Sequence, residues 1–327
     1  MKIERITLTT QASSGYALLD SGREEKLERF GDVLLARPDP QALWEKRLSA
    51  SEWEEANGVY KRESGPSTSS GQAGKWTGNL PKEWQIEFGG LNFLIKPTSF
   101  KHTGLFPEQL SNWEWVAKTL EARRSVSQAD GPRSSEFSAE NYATPEGLLD
   151  SKPSILNLFA YTGGATLAAA QAGAKVTHVD ASKTAVAWAK QNAELSGLQD
   201  APIRWITEDA LTFVQREIKR GTTYDAIIMD PPAFGHGPAG ELWKIEENFL
   251  ELMKLVPQLL SEQPLFVLIN GYAAGYSPLA FAYNLESLSQ TFGGSIEYGD
   301  LEIAHSNSSG QAEDRVLPCG IFARWVR

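Results

Sequence analysis

Acidic residues end several apolar, strand-like runs in the second half of the chain, and their side chains could bind a nucleoside. Asp180 ends the run KVTHVD, Glu208 and Asp209 end IRWITED, and Asp230 ends YDAIIMD. A carboxylate can accept hydrogen bonds from both hydroxyls of a ribose. A second one can accept from the exocyclic amine of adenine, while the next backbone N–H donates to a ring nitrogen. Both arrangements fit an adenosine compound.

A short turn with two glycines precedes these acids. It spans residues 159–164, between the apolar run SILNLFA and the helix-like segment GATLAAAQAG. The glycines would let the backbone approach a ligand closely, and the helix that follows would offer free N–H groups. Asp180 lies 17 residues beyond Gly163, a spacing that also fits NAD-binding sheets.

The residue types in this turn favour a nucleoside without phosphate. A pyrophosphate needs a row of N–H donors, which a three-glycine fingerprint supplies, whereas Phe159 and Ala160 occupy the positions expected for the earlier glycines. The Walker pattern is absent altogether. S-adenosylmethionine (SAM) is such a nucleoside. The simpler alternative is that Gly163 and Gly164 only form a tight strand-to-helix turn.

The segment DPPAFG, residues 230–235, is the sharpest signal for chemistry. Pro231 and Pro232 fix φ and remove two N–H donors, which predicts a rigid lip whose carbonyl groups stay free to accept from a substrate amine or hydroxyl. Phe234 could stack on a flat base. Asp230 could alternatively be a purely structural acid at a strand end.

Strands and helices must alternate from residue 154 onwards to position these groups. Continuous apolar strands separated by helices predict a parallel sheet covered on both faces. Ligands bind such sheets outside the carboxyl ends of the strands, where the acids, the glycine turn and the lip would meet. The predicted strands are SILNLFA, KVTHVD, IRWITED, YDAIIMD and LFVLIN, and the predicted helices are GATLAAAQAG, SKTAVAWAKQNAELSG, ALTFVQREIKRG and LWKIEENFLELMKLVPQLL.

The flanking segments complete the predicted organisation. SIEYGDLEIAHS and RVLPCGIFARWVR predict two last strands at an antiparallel edge, and apolar residues at helical spacing in 102–122 predict a helix before the sheet. We predict a small, mostly β N-terminal domain at 1–97 and an α/β domain at 98–327. Gly89-Gly90 in the former is a hairpin signal. Three predicted loops are rich in Gly, Ser or Pro: 61–81, 125–147 and 231–240.

Composition argues against several classes of protein. The formal net charge is −10, and acidic residues outnumber basic ones on both sides of residue 150, which argues against strong nonspecific affinity for nucleic acid. No apolar run is long enough for a membrane span, and no signal peptide is expected. The single cysteine, Cys319, excludes an internal disulfide framework and fits the cytoplasm. The four scattered histidines have no ligand spacing, so no metal site is predicted.

Four motifs together give the chain a family resemblance. They are TGLFPEQ (103–109), NLFAYTGGATLAAAQAGAKVTHVDAS (157–182), ITEDA (206–210) and DPPAFG (230–235). In order and spacing, residues 100–327 resemble a class I SAM-dependent methyltransferase, most of all the family of large-subunit ribosomal RNA methyltransferases that modify cytosine C5 or guanine N7. The resemblance implies a Rossmann-like seven-stranded sheet with the last strand inserted antiparallel, SAM as the methyl donor and RNA as the substrate.

The resemblance also implies roles for individual residues. The ribose of SAM would be held by Asp180, next to Ser182, and Gln109 would close over SAM. Asp230 would face the methyl end of SAM. The methionine part would be lined by Phe159, Ala160, Thr162, Gly163 and Gly164, adenine would be held by Asp209 and Ala210, and the acceptor would be framed by Pro231, Pro232 and Phe234.

Two departures from the family pattern leave the substrate open. The N-terminal residues do not show the PUA-type RNA-binding domain that these enzymes usually carry. Methylation at cytosine C5 also needs a cysteine nucleophile. Cys319 lies inside a predicted terminal strand and is not expected beside the Asp-Pro-Pro segment, and Ala323 stands where a family cysteine would fall. The alternatives are a protein or small-molecule methyltransferase and a non-catalytic SAM- or RNA-binding module.

Overall fold

The part of the chain up to Ile95 is built mainly of strands, as the sequence predicts. The computed structural model describes residues 2–62, 74–129, 152–272, 275–307 and 310–327. The elements of this first part are β1 (Lys2–Thr10), β2 (Tyr16–Gly22), β3 (Glu25–Phe30), β4 (Val33–Pro38), α1 (Ala50–Glu54), β5 (Gly58–Arg62), β6 (Gly74–Gly78), β7 (Trp84–Phe88) and β8 (Leu91–Ile95).

The predicted hairpin at Gly89-Gly90 is confirmed, whereas one predicted loop is partly wrong. β7 and β8 pair antiparallel, and the two glycines that join them have φ of 63° and 73°, the positive values that a tight hairpin turn needs. Within the predicted loop 61–81, residues 74–78 form β6, which pairs with β5. The composition of this segment predicts a loop, because composition alone gives no indication of which residues pair with β5. Residues 63–73 lie outside the described residues.

Helices and strands alternate in the second part. Its elements are a 3₁₀ turn (Pro107–Gln109), α2 (Leu110–Ala129), β9 (Ser154–Leu158), α3 (Gly164–Gln171), β10 (Lys175–Asp180), α4 (Lys183–Leu195), β11 (Ile203–Thr207), α5 (Ala210–Arg220), β12 (Ala226–Met229), β13 (Phe234–His236), β14 (Leu242–Lys244), α6 (Ile245–Leu255), a second 3₁₀ turn (Val256–Leu259), β15 (Phe266–Tyr272), α7 (Pro278–Tyr283), α8 (Glu286–Phe292), β16 (Ser295–Ser306) and β17 (Ala312–Val326).

The strands of the second part form a Rossmann-like sheet in the order β11-β10-β9-β12-β15-β17-β16. The first five are parallel, and β17 is inserted antiparallel between β15 and β16. Successive side chains of a strand point to opposite faces. In β9, Ile155 therefore packs with α2 and α3, and Leu156 packs with α5 and α6. This confirms the predicted α/β fold with helices on both faces.

The last two strands do not form the edge of the sheet, contrary to the prediction. β1 pairs parallel with β16 from Lys2↔Ser295 to Thr10↔Ile303, and a single bridge joins β16 to β2. The apolar pattern of a strand shows which side chains face the core but not which strand lies beside it. β1 therefore shares a sheet with the second part of the chain, and the division at residue 97 stays a prediction.

A short hairpin replaces the start of one predicted helix. The segment predicted to be helical from residue 242 becomes helical only at Ile245, because Leu242–Lys244 pairs as β14 with β13. β13 itself lies in the predicted loop 231–240. In the third predicted loop, residues 125–129 end α2 and residues 130–147 lie outside the described residues. Within the described ranges, no helix is long and apolar enough to cross a membrane.

Candidate functional site

The turn after β9 holds two residues in a strained backbone conformation. Phe159 and Tyr161 have φ of 55° and 48°, the left-handed region that residues other than glycine seldom adopt. Ala160 lies between them and donates its N–H to the Val179 carbonyl at 3.0 Å. The N–H of Tyr161 donates to Oδ2 of Asp180 at 2.8 Å. The acid predicted to bind a ribose therefore also stabilises the turn.

Asp180 is anchored on its second oxygen as well. Oδ1 accepts from the N–H of Ser182 at 2.8 Å, and the Ser182 hydroxyl accepts from the N–H of Ala185 at 3.2 Å, which caps α4. Burial raises the pKa of Asp180, and the two backbone N–H donors oppose that shift. Each carboxylate oxygen keeps a further lone pair, so both can still accept from a pair of ribose hydroxyls.

The two glycines of the turn serve helix packing. Gly163 has φ of 91° at the start of α3. A Cβ atom at Gly164 would lie 2.2 Å from Cζ2 of Trp113, so only glycine lets α2 approach α3 here. The Thr162 hydroxyl donates to the Gly104 carbonyl at 2.6 Å. Gly164 therefore permits the close approach of the Trp113 ring, in addition to that of any ligand.

Asp209 and Glu208, at the end of β11, have different partners. Oδ1 of Asp209 accepts from the N–H of Thr212 at 2.9 Å and caps α5, which begins at Ala210. Glu208 forms an ion pair with Arg216. The second oxygen of Asp209 has no donor among the described residues and can still accept, and its contact with adenine stays a prediction.

The lip after β12 is braced by the β13–β14 hairpin. Trp243 donates its indole N–H to the Pro232 carbonyl at 2.7 Å, and the N–H of Ile245 donates to the Ala233 carbonyl at 3.1 Å. The prediction that the lip carbonyls stay free is wrong for these two, because residues further along the chain fold back to pair with them. Burial raises the pKa of Asp230 to about 6, without an opposing charge or hydrogen bond.

Two adjoining cavities bring the predicted site residues together, and we call them the cleft. The larger has a volume of about 680 Å³ and the smaller, under the glycine turn, about 60 Å³. Both are lined by Gln109, Phe159 and Asp230, the larger also by Asp180, Ser182, Asp209, Ala210, Pro231, Pro232 and Phe234, and the smaller also by Ala160, Thr162, Gly163 and Gly164. Which ligand atoms each residue contacts stays a prediction.

The order of the strands in the sheet defines two ends of the cleft. We call Asp180 and Asp209 with the glycine turn the nucleoside end, and Lys101, Glu108, Tyr272 and Cys319 the β17 end. Three strands, β9, β12 and β15, lie between β10 and β17. Neighbouring strands are about 4.8 Å apart, so the two ends are separated by about 19 Å. Asp230 follows β12, the middle strand of the three, and lies between the ends.

The sequence missed the residues of the β17 end. Cys319 lies in a terminal strand as predicted, but it lines the same cleft as Asp230, contrary to the prediction. The reason is the insertion of β17 beside β15, which the linear sequence does not show. The Cys319 thiol donates to the Leu317 carbonyl at 3.3 Å, and burial raises its pKa. The one feature of the sequence that could have identified Glu108 as a cleft residue is its place beside Gln109 in the FPEQ segment.

The nucleoside end fits a sulfonium nucleoside better than a nucleotide. Phosphates are bound by rows of backbone N–H groups or by cations. Lys101 is the only lysine or arginine among the described residues that line the cleft, and it belongs to the β17 end. The nucleoside end instead offers carboxylates, which can accept from hydroxyl and amine groups.

Comparisons with known proteins agree with this geometry. The model of the S-adenosylmethionine-dependent methyltransferase family matches residues 150–298. A crystal structure of a SAM-dependent methyltransferase from Agrobacterium tumefaciens is 34% identical and has a TM-score of 0.84, covering 99% of this chain and 95% of that one.

Curated relatives match over shorter stretches. The ribosomal RNA large subunit methyltransferase I of Aeromonas salmonicida is 29% identical over 177 residues, which is 54% of this chain and 37% of that protein. The ribosomal RNA large subunit methyltransferase K/L of Shewanella frigidimarina is 34% identical over 138 residues, or 42% and 18% respectively. The matched part is thus less than two fifths of either relative. The fold, the cleft and the near full-length match together show that the chain belongs to the family of S-adenosylmethionine-dependent methyltransferases.

Proposed function

We propose that this SAM-dependent enzyme methylates a nucleobase of ribosomal RNA. The observation that carries the proposal is the match to curated large-subunit ribosomal RNA methyltransferases. The cleft supports it, because the partly exposed ring of Phe234 and the carboxyl of Asp230 border the same space. An aromatic ring stacks on a flat base, and a carboxylate accepts from a base N–H.

The residues at the nucleoside end would hold the donor by hydrogen bonds that are already aligned. Asp180 would accept from the ribose hydroxyls, Asp209 from the adenine amine, and Gln109 would cover the donor from the 3₁₀ turn. SAM supplies an electrophilic methyl group on a sulfonium that leaves as a neutral thioether. The remaining task of the chain is to align the acceptor and exclude water, which the braced lip beside Asp230 would do.

Recognition of RNA would depend on local contacts, since the net charge of −10 gives little nonspecific attraction to phosphates. Lys101, whose Nζ donates to the Pro38 carbonyl at 3.2 Å, would be the cation that meets a substrate phosphate inside the cleft. Burial, together with Arg37 and Lys26, lowers its pKa to about 8, so it is mostly protonated at neutral pH. A site of action on ribosomal RNA would place the protein in the cytoplasm.

Methyl transfer from tritiated SAM tests this function directly. The wild-type protein would be incubated with ribosomal RNA, ribosomal protein and small-molecule fractions from cells that lack the gene. We expect label in RNA, in a single type of nucleoside after digestion, and none with Asp180→Ala. Label confined to the protein or small-molecule fraction would overturn the proposal.

A further inference from the structure

Glu108 is a buried acid at the β17 end, and no other residue that the structure describes forms a hydrogen bond or ion pair with its carboxyl group. Its residue is 6% exposed, yet it lines the larger cavity. Its carboxyl group bonds to its own backbone N–H, and no other described residue donates to it. A buried carboxyl that lacks a partner costs stability, so its presence beside a ligand cleft points to a use in binding.

The neighbouring charges are balanced without Glu108. On one side of it lie two buried cations, Lys26 and Arg37, and two buried acids, Glu28 and Asp39. Arg37 Nε donates to Glu28 at 2.5 Å, and Lys26 Nζ lies 3.2 Å from Asp39. Both cations are therefore paired. Burial raises the pKa of Glu108 to about 7, although Lys26 and Arg37 oppose the shift.

The 3₁₀ turn directs Glu108 away from the donor. Neighbouring residues of a 3₁₀ helix point about 120° apart. Gln109 lines both cavities and accepts from Asn112 at 3.3 Å, whereas Glu108 lines only the larger one. Thr10 of β1 donates to the Pro107 carbonyl at 3.2 Å and fixes the turn. Gln109 thus belongs to the donor side and Glu108 to the β17 end.

The remaining groups of the β17 end do not neutralise Glu108. The Lys101 ammonium group donates to the Pro38 carbonyl at 3.2 Å. Tyr272 of β15 and Cys319 of β17 are close enough to interact with its charge, and burial raises the pKa of both. Neither is a cation, and neither is hydrogen-bonded to it. Around neutral pH, Glu108 therefore exists partly as a carboxylic acid, which presents an O–H donor and a carbonyl acceptor side by side.

We propose that Glu108 binds the polar edge of the acceptor base and fits a base with a donor and an acceptor on adjacent atoms. This proposal rests on the proposed function. The amine and ring nitrogen of cytosine or adenine form such an edge. The N1–H and N2 amine of guanine present two donors, which need a carboxylate instead. Glu108 is then a specificity-determining residue on the acceptor side.

Two substitutions separate these chemistries. Glu108→Gln keeps a donor and an acceptor side by side, and Glu108→Ala removes both. We expect the KM for RNA to rise about tenfold in Glu108→Ala, the size of one lost hydrogen bond to a buried group, and to change less than about threefold in Glu108→Gln. The Kd for SAM should stay unchanged in both, as in the exposed control Glu114→Ala.

The pH profile gives a readout that a purely structural role would not change. If the acid form of Glu108 binds the base, wild-type kcat/KM falls as the pH rises through about 7, and Glu108→Gln removes that fall. Three outcomes would overturn this inference and leave the proposed function standing. They are an unchanged KM in Glu108→Ala, an equal loss in the Gln and Ala variants, and a weaker affinity for SAM in either variant. A wild-type enzyme that labels no ribosomal RNA overturns the proposed function and this inference together.

Discussion

The two ends of the cleft are built in different ways. At the nucleoside end, Asp180 and Asp209 already accept from backbone N–H groups at 2.8–2.9 Å, so their positions are set before a ligand binds. At the β17 end, the Glu108 carboxyl group has, among the described residues, only its own backbone N–H as a donor, and Cys319 is a buried thiol. The rigid end suits the donor, which the whole family shares. The β17 end, where Glu108 receives no hydrogen bond from another described residue, is where contacts with a particular acceptor can differ between relatives.

The largest effect should follow from Asp180→Ala. The substitution removes the predicted acceptor of two ribose hydroxyls and also the partner of the strained Tyr161 backbone. Hydrogen bonds to a charged group contribute about 1.5–3 kcal/mol each, so we expect the Kd for SAM to rise by about a hundredfold or more. Calorimetric titration would measure it.

The matched control for that substitution is Asp200→Ala, an exposed acid near the start of β11 and outside the cleft. It should bind SAM like the wild type. Unchanged SAM affinity in Asp180→Ala would mean that the ribose lies elsewhere, and the nucleoside end as defined above would be misplaced.

Asp230, between the two ends, should affect catalysis more than donor binding. We expect Asp230→Asn to lower kcat by about a hundredfold, the lower end of the range for a positioned acid–base group, with little change in the Kd for SAM. Burial raises the pKa of Asp230 to about 6, so its ionised form is present above that pH and lost below it. Wild-type activity should therefore fall as the pH drops through about 6.

The asparagine variant should lack this acid limb, and steady-state kinetics between pH 5 and pH 9 would show it. An acid limb that persists in Asp230→Asn would assign it to another group. A large loss of SAM affinity would instead move Asp230 to the nucleoside end.

The difference between the nucleoside end and the β17 end also explains which site residues could be predicted from the sequence. Phe159 to Gly164, Asp180 and Asp209 lie close to their strand ends in the chain, so local motifs were enough to find them. The β17 end combines a 3₁₀ turn near residue 108 with β15 and β17, which meet only through the antiparallel insertion. The pairing of β1 with β16 was missed for the same reason, since alternation does not name a partner strand.

A smaller effect should separate packing from ligand binding in the glycine turn. A methyl group at Gly164 would collide with the ring of Trp113, so Gly164→Ala should destabilise the fold by about 1–3 kcal/mol. Thermal unfolding would measure the loss. In a double-mutant cycle with Trp113→Leu, the alanine should cost much less, because the collision is removed. Additive losses would show that Gly164 is required for another reason.

The smallest effect should come from Cys319→Ser, and it tests whether the β17 end supplies only binding contacts. The Cys319 thiol is buried, its pKa is raised, and it donates to the Leu317 carbonyl, a bond that a serine hydroxyl can also make. A nucleophile needs a thiolate, which this environment disfavours. We therefore expect kcat of the serine variant within about threefold of the wild type, as for a conservative change that keeps the hydrogen bond.

Cys319→Ala is the companion variant, because it removes the sulfur without introducing a hydroxyl. Retained methylation in both variants would exclude a covalent cysteine step and leave direct transfer to a nitrogen or oxygen of the acceptor. Loss of methylation in both variants, with SAM affinity and unfolding temperature unchanged, would make the sulfur the attacking atom. The β17 end would then take part in the chemistry and would not supply only binding contacts. The methylated atom would be C5 of a pyrimidine.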